Sequence, residues 1–102
     1  MHVKLKTQDD GSSLVCVSMM GAKAGISQTY RAIRDKLPPL SAHSNCYTDH
    51  DTYPGQLELY FFIPLAQLDE VLADIEADFG AERCALIKQK LEDGDLSSLW
   101  GD

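Results

Sequence analysis

The sequence is short of cysteine, short of positive charge and without a long apolar run, and each shortage removes a class of function. Cys16, Cys46 and Cys84 are odd in number and widely spaced with no CxxC, so neither a disulfide framework nor a paired-cysteine zinc site is indicated. Lysine and arginine total 9 against 16 acidic residues, a net charge of −7, which repels phosphate backbones and argues against a nucleic-acid partner. No apolar run approaches the ~20 residues that cross a bilayer, so no membrane partner is expected. The opening "MHVKLKTQDDGSS" holds no apolar stretch of signal-peptide length, and the chain reads as cytoplasmic. No glycine fingerprint for a dinucleotide or nucleoside triphosphate is present, and no cofactor is expected.

What is present is ordinary for one globular domain: 102 residues, 44% apolar and 25% charged. Residues 2–7 alternate apolar and polar as a half-buried strand does. An Asp-Gly turn signal follows, and then "LVCVSMM" over 14–20, apolar on both faces, predicts a central strand. Ile26, Tyr30, Ile33 and Leu37 form one helical stripe that "LPPL" ends. "SAHSNCYT" is a weakly signalled strand and "DHDTYPG" a polar turn. "QLELYFFI" over 56–63 is the clearest strand, with Leu57, Leu59, Phe61 and Ile63 on one face and Pro64 as its stop. Leu68, Val71, Leu72, Ile75 and Phe79 mark a second helix ending at Gly80. "RCALIKQKL" reads as a last strand, with fraying into helix toward Leu91 as the alternative at its end.

The predicted order is ββαββαβ, with a hairpin–helix unit occurring twice, at about 1–37 and 42–80. Such an order makes an α+β two-layer sandwich, ferredoxin-like in its βαββαβ core with an extra N-terminal strand. Residues 1–92 form the domain and 93–102 a mobile tail, unless Leu96, Leu99 and Trp100 dock. In a ferredoxin-like sheet the strand at 14–20 already has two neighbours, so a partner at 2–7 must displace one of them.

The segment "MGAKAG", 20–25, predicts a glycine-flanked loop between strand and helix. Amides at a helix start favour a carboxylate or phosphate, and Lys23 adds a cation. The alternative is a tight turn that needs glycine conformations and binds nothing. "LVCVSMMGAKAGISQTYRAIRDKL" resembles the first strand and helix of an ACT domain, with Gly25-Ile26 standing at the end of the family's step into the helix. "QLELYFFIP", "LAQLDEVLADIEADFG" and "RCALIKQ" follow in that family's order, so the resemblance covers about 13–90. It implies a regulatory module that holds an amino acid or small organic acid at Gly21, Ala22, Lys23, Ala24, Gly25 and Ile26. The family's acidic residue and proline before the glycine are Ala22 and Ala24 here.

"HSNCYTDHD", 43–51, gathers possible metal ligands, but along a straight strand Cys46 and His50 lie ~13 Å apart. His43 falls on the other face, and a polar edge strand is the reading preferred, with no metal and no assigned catalytic residue. A small enzyme around Cys46 is a lesser alternative. Tyr60 and Phe62 alternate with the inward residues of their strand and so occupy the opposite sheet face. An aromatic sheet face is commonly a subunit contact, which makes a homodimer the expected assembly; the alternative is a face covered within the chain, by the tail with Trp100. The competing functional reading is a non-catalytic interaction domain that uses this face and the acidic helix.

Overall fold

The computed structural model describes residues 1–41, 43–50 and 53–97. The chain runs β1 (His2–Thr7), β2 (Ser13–Ala22), α1 (Lys23–Ile33), β3 (Cys46–His50), β4 (Gln56–Pro64), α2 (Leu68–Phe79) and α3 (Ala81–Asp93), with single 3-10 turns after α1 and before α2. The four strands form one antiparallel sheet in the order β1-β2-β4-β3. The α+β layering expected from the sequence is present, and the strand over 56–63 extends to Pro64 with its four predicted core residues buried.

One element is of the wrong type in the sequence reading: residues 82–91 are helical, so the order is ββαββαα rather than ββαββαβ. All but Cys84 and Ile87 in this segment are Ala, Glu, Arg, Leu, Lys or Gln, which favour helix. Its buried residues, Cys84 and Ile87, stand three apart, with Leu91 packed on the core one turn later. Gly80 at φ 111 separates it from α2, and Gly94 in the left-handed region closes it. The sheet position that a returning last strand would take, beside β2, is filled by β1. β2 and β3 are both antiparallel to β4 and so run in the same direction, joined through α1 with β4 between them.

Sheet register divides the side chains cleanly. Val3–Val17–Phe61–Cys46 and Leu5–Val15–Ile63 are rows on the face that packs against the helices. α1 contributes Ile26 and Ile33, and α2 contributes Leu68, Val71, Leu72, Ile75 and Phe79, all buried as their spacing requires. Phe79 meets Phe61 edge to face at 5.1 Å. Lys36 pairs with Asp78 and Lys88 with Asp69, pinning neighbouring elements to α2 from outside. Such exposed pairs contribute up to ~1 kcal/mol, against ~1.5–3 kcal/mol for each buried large apolar side chain, so the core holds the layers together.

Residues 94–97, assigned to a tail by sequence, are tied down. Asp95 N–H donates to Lys90 O, and Ser97 N–H donates to Val3 O at 2.8 Å on β1. Leu99 and Trp100 lie outside the described residues.

Candidate functional site

The segment 20–25 is not a loop. β2 continues through Gly21 and Ala22, which pair with Leu57 and Gln56, and α1 begins at Lys23. Lys23 N–H donates to Gly55 O at 2.8 Å, so a carbonyl from the β3–β4 turn takes the first helical amide. The strand and helix bounds correct the expected loop, and the absence of a positive φ at Gly21 and Gly25 corrects the alternative, a turn that needs glycine conformations. Gly21 instead allows a close approach, since a Cβ there would lie 3.2 Å from Ile26 Cδ1. Gly25 sits in the first helical turn with open space around it. Ala22, Lys23, Ala24 and Gly25 are exposed, Gly21 is half-buried and Ile26 is buried.

The other sheet face has more structure than its sequence suggests. Its rows are Lys6–Leu14–Pro64, Lys4–Cys16–Phe62, His2–Ser18–Tyr60–Tyr47 and Met20–Glu58–Asp49. Leu14, Cys16 and Phe62 form a second small apolar cluster, with Leu40 and Tyr60 packed against it. The His43 ring meets Phe62 edge to face at 4.7 Å. Asn45 holds this segment in place, with its side-chain amide on Leu37 O and Pro38 O and its carbonyl accepting from Phe62 N–H. Half of this face is therefore covered from within the chain, and Phe62, expected at an interface, is buried beneath Leu40 and His43.

The other half is open. Met20 is 46% exposed and Tyr47 39%. Tyr47 and Tyr60 are cross-strand partners whose rings stack at 4.9 Å and 17°. Tyr60 donates its hydroxyl to Glu58 Oε1 at 2.7 Å. Burial, followed by the bond to Glu58, holds the Tyr60 phenol well above its ordinary range, so it stays a donor at neutral pH. Burial and the charge of Asp49 likewise raise Tyr47.

The residues of "HSNCYTDHD" disperse. β3 spans only Cys46–His50, and His43 lies ahead of it against Phe62. Cys46 is buried opposite Phe61 and His50 is exposed at the far end of β3; Asp51 is outside the described residues. Among the described residues, no three of His, Cys, Asp and Glu converge as metal ligands. Burial pushes the Cys46 thiol up to about 12 and raises Cys16 and Cys84, so none of the three is a ready thiolate at neutral pH.

Nothing in the local sequence marks Met20, Tyr47, Asp49 and Glu58 as a group, although the alternation of "CYTDH" places Tyr47 and Asp49 on one face. Their assembly depends on the register of β2 and β3 against β4, which no local pattern carries. No helix among the described residues is long and apolar enough to cross a membrane. Compared with protein-family models, curated proteins and solved structures, the chain matches none.

Proposed function

We propose that the protein is a non-catalytic interaction module that works through the open half of its sheet face. The supporting observation is the exposure of Met20 and Tyr47 beside the Tyr47–Tyr60 stack, on a face where the chain packs its own Leu40 and His43 over Phe62 and its neighbours. Exposed apolar area that a chain leaves uncovered next to area it covers marks a contact surface. Aromatic residues and methionine are the types enriched in such contacts. The dimensions set the kind of contact. Strands ~4.8 Å apart and ~3.3 Å per residue make even the whole face only several hundred Å². Stable complexes bury ~800 Å² per partner, so this surface suits a reversible association rather than an obligate one.

The test places a photo-crosslinking amino acid at Met20 in living cells and, separately, at Asp74 on the outer side of α2. A discrete crosslinked protein from position 20, absent from position 74, is the expected result. Equal products from both positions, or none from position 20, would sink the reading.

A further inference from the structure

Asp49 and Glu58 are directly opposed cross-strand partners on the open face. Their Cβ atoms therefore lie ~4.5–5.5 Å apart, and like charges so placed destabilise a sheet. Tyr60 donates one hydrogen bond to Glu58. Among the described residues no side-chain hydrogen bond or ion pair is made by Asp49. Two carboxylates thus stand side by side at the rim of an aromatic stack, with Met20 beside Glu58 in the same row.

Given the sheet-face reading above, on which this step rests, we infer that Met20, Tyr47, Asp49 and Glu58 form a docking site for an arginine side chain presented by a partner protein. Each part of that side chain has a match. A guanidinium lies flat on a tyrosine face, and Tyr47 is the exposed member of the stack. The planar fork of donors suits two adjacent carboxylates, and its charge removes their mutual repulsion. The aliphatic stem needs an apolar rest, and Met20 is a flexible one. An ammonium group fits less well, because it neither stacks nor forks. The net charge of −7 draws a cationic segment toward the molecule but does not choose the site, since α2 is also acidic.

The experiment titrates ¹⁵N-labelled protein with three short peptides, identical except for a central Arg, Lys or Glu, and follows amide shifts at two salt concentrations. Shifts confined to the neighbourhood of residues 20, 47, 49 and 58, strongest for Arg and absent for Glu, are expected. The double variant Asp49→Asn with Glu58→Gln should weaken Arg-peptide binding about tenfold. Asp69→Asn with Glu70→Gln removes the same charge from α2 and should change it less than about twofold. The first double variant should also melt no lower than the wild type, because its repulsion is gone, so lost binding is not lost folding. Shifts centred on α2, or equal weakening in both double variants, would overturn the site. Self-association through Tyr47 in the absence of peptide would overturn the foreign partner in favour of a second copy. If position 20 still crosslinks a protein in cells while no arginine peptide binds, the interaction module stands and its arginine specificity falls.

Discussion

Gly21 and Gly25 are four residues apart and respond to an added methyl in opposite directions. Gly25 is helical with nothing within 4 Å of the point a Cβ would occupy, so Gly25→Ala removes unfolded-state freedom at no steric cost. It is expected to stabilise by ~0.5–1 kcal/mol, a rise in melting temperature of a few degrees. Gly21→Ala puts its Cβ 3.2–3.3 Å from two atoms of buried Ile26, which has little room to yield, and is expected to lower the melting temperature. Thermal denaturation of the two variants gives both signs. Cys46 supplies a pH test. Its thiol is held up to about 12 from an ordinary 9.0, so the folded state keeps a proton that the unfolded chain releases. This contribution is full below about pH 9.0 and is lost as pH rises toward about 12. Melting temperature measured from neutral to strongly alkaline pH should fall over that window, and Cys46→Ala should lower the curve throughout while making its alkaline limb shallower.

At the scale of elements, α2 and β4 are legible because each carries one uninterrupted period: five core residues at helical spacing, and four alternating ones. α3 misleads because its apolar residues cluster in "CALI", which imitates a short buried strand. The helix puts Cys84, Ile87 and Leu91 inward and leaves Leu86 40% exposed, whereas a strand would put Cys84 and Leu86 together and Ile87 opposite. Ile87→Ala is therefore expected to cost ~2–5 kcal/mol and Leu86→Ala less than ~1 kcal/mol, read from urea denaturation midpoints. Comparable losses from both would contradict the helical packing. The glycine pair at 21 and 25 misleads for a different reason. Glycine is used there for close packing at one position and tolerated in a helix at the other, and neither use differs in sequence from a flexible loop.

For the whole molecule, the repeated hairpin–helix arrangement and the layering are local enough to read, while the strand order is not. The problem of where a strand at 2–7 could fit is solved by the change of type in α3: residues 81–93 are helical, and β1 takes the position beside β2 that a returning strand there would have filled. The open patch depends on the same long-range pairing. Tyr60 and Phe62 are next-but-one neighbours on one strand face, yet one is half-buried in a stack and the other buried under Leu40 and His43. Alternation places both residues on that face, and the packing of Leu40 and His43 on Phe62 is not legible in it.

The position of β1 also bears on how the chain is made. β2 carries "LVCVSMM", uncharged, free of proline and apolar, the kind of segment that pairs with other nascent chains. Its partner β4 begins at Gln56, and at about 5–20 residues per second it follows seconds later on the ribosome. β1 precedes β2 and needs only the short turn at 8–12 to close on it. The partner for one side of the sticky segment thus already exists when it is synthesised, a strand whose His2, Lys4 and Lys6 make its own surface unwelcoming to further strands. The order of synthesis offers this stretch an escort before the centre of the sheet arrives.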